Sequence, residues 1–126
     1  MKIEITEGCI CYSYCIDGKE YVDLVDPKHE YYNLEIIKKV FHILLERADE
    51  RGDYSIWDRL YGIIYEEEVY EVVEDYINKE IDSGDLSNLQ DMFIKLVKSD
   101  SDTIYKISGP CECCGDYIEE YILNLE

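Results

Sequence analysis

The stretch 9-CICYSYCIDGKEYVDLV-25 decides the fold. From Cys9 to Ile16, Cys and Ser alternate with Ile and Tyr, a period of two that sends successive side chains to opposite faces of a strand. Asp17-Gly18 follows, a dipeptide suited to the tight turn of a hairpin. Tyr21-Val22-Asp23-Leu24-Val25 then reads as the returning strand. Both faces of Cys9–Ile16 are apolar enough for a central strand, and Ile3 and Ile5 belong to a neighbouring one. The chain is thus expected to open with three strands.

Pro27 ends that unit. Asn33 can cap a helix whose apolar residues Ile37, Val40, Phe41, Leu44 and Ala48 follow the 3.6-residue period, with Gly52 closing it. Ser55-Ile56-Trp57-Asp58 opens the next, with Trp57, Leu60, Tyr61 and Ile64 on one face. Val69, Val72, Val73, Tyr76 and Ile77 continue the stripe past a break near 62–66, and Gly84 stops it. Ser87-Asn88-Leu89-Gln90 has the pattern of a capping box before a short helix that buries Leu89, Met92, Phe93, Leu96 and Val97. Thr103–Ser108 and Tyr117–Leu125 read as a last strand pair across the loop 109–116, although the final segment also fits a helix. Strands at both ends with three or four helices between them predict an α+β fold. Its antiparallel sheet is built from the N- and C-terminal strands and packs on the central helices. With 126 residues, no internal repeat and no linker, one domain over 1–126 is expected.

Hydrophobic residues make up 47% of the chain, which points to a globular protein rather than a disordered one. The longest apolar run, around Phe41–Leu45, is too short for a membrane span. Met1–Glu7 lacks the basic flank and apolar core of a signal peptide, so a reducing, cytoplasmic location is expected. Thirty acids against twelve Lys plus Arg give a net charge of -18. Nucleic acid and acidic membranes would repel such a chain, whereas a basic protein surface would attract it and speed the encounter. Solubility alone, or a salt-rich host, is the plainer account of the same excess.

Nothing in the motifs points to an enzyme. No glycine loop cradles phosphate, no serine sits on a nucleophile elbow, and the two histidines, His29 and His42, have no spacing that marks a catalytic pair. The six cysteines form two clusters, Cys9, Cys11, Cys15 and Cys111, Cys113, Cys114. In a reducing compartment these are not a disulfide framework. Cys111 and Cys114 make a C-x-x-C knuckle followed by Gly115. Cys9 and Cys11, or Cys15, would complete a structural zinc site if the end strands are neighbours. The other reading is that the thiols are small buried apolar groups.

A second constellation is acidic. Glu67, Glu71, Glu74 and Asp75 recur at helical spacing, flanked by Glu66, Glu68 and Tyr70. They form a ridge that repeats charge about every 6 Å. Like charges so spaced cost a helix a few tenths of a kcal/mol per pair, roughly. Thirteen tyrosines accompany the acids. Tyr12, Tyr14, Tyr61 and Tyr76 are expected at the core or its edge, and Tyr31, Tyr32, Tyr54 and Tyr70 beside acids at the surface, where tyrosine favours interfaces.

In size, charge, tyrosine content and the ridge 66–75, the chain resembles the small acidic phage proteins that disarm host defences. It resembles in particular the anti-CRISPR inhibitors of RNA-guided nucleases, some of which mimic DNA. The likeness rests on no shared motif and carries over no residue role. It implies an inhibitor whose carboxylates occupy a groove made for phosphates. An immunity protein that neutralises a basic nuclease toxin, and a zinc-stapled adaptor for a protein partner, are the alternatives.

Overall fold

The computed structural model describes residues 1–9, 11–53, 69–112 and 114–125, and of 69–73 the backbone alone. Its strands are β1 (Lys2–Glu7), β2 (Tyr12–Ile16), β3 (Lys19–Glu20), β4 (Ile104–Pro110) and β5 (Tyr117–Asn124). Its helices are α1 (Tyr21–Val25), α2 (Leu34–Glu50), α3 (Val69–Ser83) and α4 (Ser87–Ser99). The five strands form one antiparallel sheet in the order β3-β2-β1-β5-β4. The two ends of the chain therefore meet inside one sheet, the α+β arrangement expected from the strand and helix patterning.

The hairpin follows its turn chemistry. Asp17 and Gly18 have φ values of 51° and 79°, the left-handed pair that a type I′ turn demands and that glycine adopts without strain. The turn also ties back to β1: Asp17 N donates to Lys2 O at 2.8 Å and Lys2 N donates to Asp17 Oδ1 at 2.7 Å.

Two expectations about this region are corrected. The strand expected over Cys9–Ile16 begins only at Tyr12, and the central position belongs to β1. The returning strand ends after two residues, and Tyr21–Val25 is a helix. Its five residues fit both periods. The helical one wins because it buries Tyr21, Leu24 and Val25 together, and Tyr21 stacks on Phe93 with ring centroids 4.7 Å apart.

In α2, Asn33 Oδ1 accepts from Ile36 N at 3.2 Å, and the expected stripe is buried along with Leu45. The expected capping box at Ser87 is not formed. Asp85 Oδ1 instead accepts from Ser87 N and from Ser87 Oγ, so the hydroxyl acts as donor rather than cap. The stripe of α4 is buried as its period requires. The helix start at 55–58 and its face Trp57, Leu60, Tyr61 and Ile64 lie outside the described residues, as does the break at 62–66. Ile3, Ile5, Ile16 and Leu123 present one face of the sheet to α1, α2, α3 and α4, and together they form the core. Among the described residues no helix is long and apolar enough to cross a membrane.

One buried charge ties the end of α4 to the end of α2. Asp100 ends α4, and its side chain is 1% exposed. Arg47, near the end of α2, grips it with Nε at 2.7 Å and Nη2 at 2.8 Å, and Asp102 N donates to it at 2.9 Å. The Arg47 hydrogen bonds hold the Asp100 carboxyl below the usual range against the opposing effect of burial. Because the folded pKa is depressed, this stabilisation is present above the unfolded value of about 3.9 and is lost as pH falls through the folded one. Asp100→Asn should lower unfolding free energy by about 2 kcal/mol at neutral pH. The difference from the parent, followed by urea melts, should shrink steadily below about pH 4. A pH-independent difference would contradict the ion-pair account.

Candidate functional site

On the helix-facing side of the sheet, the strand registers align side chains into three rows. Ile16, Ile3 and Leu123 form the first, and all are buried. Tyr14, Ile5, Tyr121 and Tyr105 form the second, in which burial falls from the fully buried Ile5 to the exposed Tyr105. The third comprises Tyr12, Glu7, Glu119 and Ile107. Along one face the sheet thus passes from aliphatic core through tyrosine to an acidic, aromatic edge. Tyr12 and Tyr117 are each 64% exposed, and Ile107 is 59% exposed.

Glu7 and Glu119 face each other across β1 and β5, an arrangement that opposes folding because like charges sit directly opposite. Among the described residues each carboxylate is held by one donor. Lys98 Nζ, from the last turn of α4, reaches Glu7 Oε2 at 2.6 Å, and the Tyr105 hydroxyl donates to Glu119 Oε1 at 2.7 Å. Lys98 also lies 4.9 Å over the Tyr121 ring. Burial works against the Lys98 charge, but the hydrogen bond and charge of Glu7 outweigh it, and its pKa is raised. The bond to Glu119 pushes the Tyr105 phenol up to about 12. Burial, then the Glu119 and Glu7 charges, raise Tyr121, with Lys98 opposing.

Glu7, Gly8, Cys9, Tyr12, Asp116, Tyr117 and Glu119 line a shallow hollow beside this row. Three carboxylates with exposed tyrosine rings around them can receive a guanidinium or ammonium group and cover its stem. Beside the hollow, β4 is an edge strand. Lys106 and a bulge at Ser108/Pro110 guard it against pairing with other strands.

The acidic ridge falls only partly within the described residues. Glu66, Glu67 and Glu68 lie outside the described residues, and Tyr70 and Glu71 are described only as backbone of α3. Asp75 is exposed. Glu74 is half-buried and lines a cleft against α2 with Glu35, Lys38, Lys39, His42 and Glu46, so it does not stand on an open ridge. In that cleft burial lowers the His42 pKa, partly offset by Glu74 and Glu46.

Cys9, Cys11, Cys111 and Cys114 come to one end of the sheet, as pairing of the two chain ends requires, whereas Cys15 lies on β2 opposite Glu4, toward the other end. Cys9 and Cys11, however, lie in the β1–β2 connection rather than on a strand, so strand alternation does not aim them together. Cys9 and Cys114 are exposed, Cys11 is half-buried and Cys111 is buried. Among the described residues no three His, Cys, Asp or Glu side chains gather as a metal site. Cys113 lies outside those residues.

The tyrosine–acid row was not anticipated as a site. Its signals were present, since Tyr117 and Glu119 share strand parity, but the row exists only once β1 is placed between β2 and β5. No family model, no curated protein and no solved structure matches the chain.

Replacing Glu119 with Ala should return the Tyr105 phenol from about 12 toward the ordinary value near 10, read from the pH dependence of its ring NMR signals. An unchanged Tyr105 titration would contradict the Tyr105–Glu119 bond.

Proposed function

We propose that this chain binds a basic, nucleic-acid-handling protein and inhibits it, in the manner of the acidic phage inhibitors it resembles. The observation that carries this reading is the facing pair Glu7–Glu119, in which Lys98 bonds Glu7 while Glu119 is held by the neutral Tyr105 hydroxyl, and which opens onto a hollow walled by Asp116, Tyr12 and Tyr117. Among the described residues the pair stays one positive charge short. An arginine or lysine from a phosphate-binding groove would supply that charge while the tyrosine rings cover its apolar stem.

The rest of the surface favours the same partner. Arg47, Arg51, Lys98, Lys2 and Lys106 are engaged by acids of the chain itself, and such internal pairs leave the net charge of -18 intact. That field raises the association rate, whereas desolvated tyrosine anchors govern dissociation. The acidic stretch Glu66, Glu67, Glu68, Glu71, Glu74 and Asp75, with Tyr70, would add further contacts to the same partner.

The test is capture of partners from a host lysate on the immobilised chain. The expected catch is a basic nucleic-acid-binding protein that added duplex DNA displaces and that elutes as salt rises, because screening cuts the reach of charge to about 8 Å at physiological ionic strength. Tyr12→Ser with Tyr117→Ser should speed dissociation at least about tenfold. Asp49→Lys, on the exposed face of α2, changes the net charge by the same two units and controls for bulk charge against Glu119→Lys. If the control weakens binding as much as Glu119→Lys does, the hollow is not the site. If no basic protein is captured, the inhibitor reading is wrong.

A further inference from the structure

Tyr12, 64% exposed, stands between two hollows. The hollow already described, with Glu7, Asp116, Tyr117 and Glu119, lies on one side of it. Ser13, Tyr14, Glu20, Val22 and Gln90 line a second, with Tyr12 as the shared wall. The second hollow follows from the short β3. That strand pairs only with Cys15 and Ile16, so among the described residues Tyr12, Ser13 and Tyr14 have no strand beside them on that edge of β2. The chain turns into α1 instead, which brings Val22 to the surface at 54% exposed, and Gln90 from the first turn of α4 completes the wall.

The two hollows offer the same chemistry, aromatic or aliphatic surface beside a carboxylate. That combination suits a long side chain with an apolar stem and a cationic head. In the first, Lys98 is committed to Glu7, and among the described residues Glu119 and Asp116 have no basic partner. In the second, the exposed Glu20 makes no cap bond to α1, and the adjacent Lys19 lies over the Tyr31 ring at 5.6 Å. Among the described residues Glu20 too has no basic partner.

We propose that the two hollows together take a pair of basic side chains from one extended segment of the partner, alternate residues that straddle the Tyr12 ring. Alternate side chains of an extended chain leave one face about 7 Å apart, a spacing that a single ring can separate. The exposed ring offers a face to each cation. Once one basic side chain is seated, the second binds within the same complex, so the pair gains affinity that neither has alone. This deepens the cationic reading of the first hollow and rests on it, whichever protein supplies the segment.

The test uses two blocked peptides, acetyl-Arg-Gly-Arg-amide and acetyl-Arg-Gly-Gly-amide, titrated at physiological ionic strength into the whole chain. NMR follows the Tyr12 and Tyr117 rings, the Val22 methyls and the Gln90 side-chain amide. The dibasic peptide should bind at least about tenfold more tightly and move the signals of both hollows along one saturation curve. Glu20→Gln removes no cap and should melt with the parent, yet bring the two peptides within about twofold of each other. Asp49→Asn, an equal change of charge on the exposed face of α2, should keep the tenfold difference. Equal binding of the two peptides by the parent would overturn the proposal, as would an advantage that survives Glu20→Gln or is lost equally in Asp49→Asn. Dibasic peptide that moves only Tyr12 and Tyr117 would overturn the paired site and leave the single-cation hollow standing. No shift with either peptide would overturn both.

Discussion

β1 hydrogen-bonds along both edges, to β2 on one side and to β5 on the other, and its Ile3 and Ile5 are completely buried beneath the helices. Burying each such side chain is worth roughly 1.5–3 kcal/mol. The pairing to β5 closes the chain over nearly its whole length. The seam is finished by Met1 N donating to Leu125 O at 2.8 Å and Leu125 N donating to Met1 O at 2.7 Å. Without β1 in the middle, the rows of side chains across the sheet would not form, Glu7 would not face Glu119, and the two cysteine loops would not meet.

The charge excess acts within that frame rather than against it. Where stability needs a charge, the chain supplies a local partner: Arg47 and Arg51 for the buried Asp100, and Lys98 for Glu7. The first arrangement satisfies its carboxylate completely and serves the fold. The second leaves Glu119, among the described residues, with only a neutral hydroxyl donor, at an edge where tyrosines are exposed. This contrast between a saturated acid and an undersupplied pair separates a structural cluster from a candidate binding site better than a count of acids does.

Local signals were the legible part of the fold. Asp17-Gly18 named its own turn, and the stripes of α2 and α4 followed from the helical period because these helices bury one face each. Tyr21–Val25 misled because five residues satisfy both periods, and stacking on Phe93 decides between them. Cys9 and Cys11 misled because alternation continued past the true start of β2 at Tyr12. The site itself was least legible. Tyr12, Glu7, Glu119 and Ile107 come from four strands at both ends of the chain, and only tertiary register aligns them. The acidic ridge drew attention because its residues are close in sequence, yet Glu74 turns into the α2 cleft.

The claim that the β1–β5 seam organises the molecule is tested most directly by amide hydrogen exchange resolved to single residues. The amides of β1 and β5 that bond within the sheet should exchange only through global unfolding, with opening free energies equal to that from urea melts. Lower opening free energies in β1 and β5 than in α2 and α4 would show a helical layer that survives without the seam, and would contradict the account.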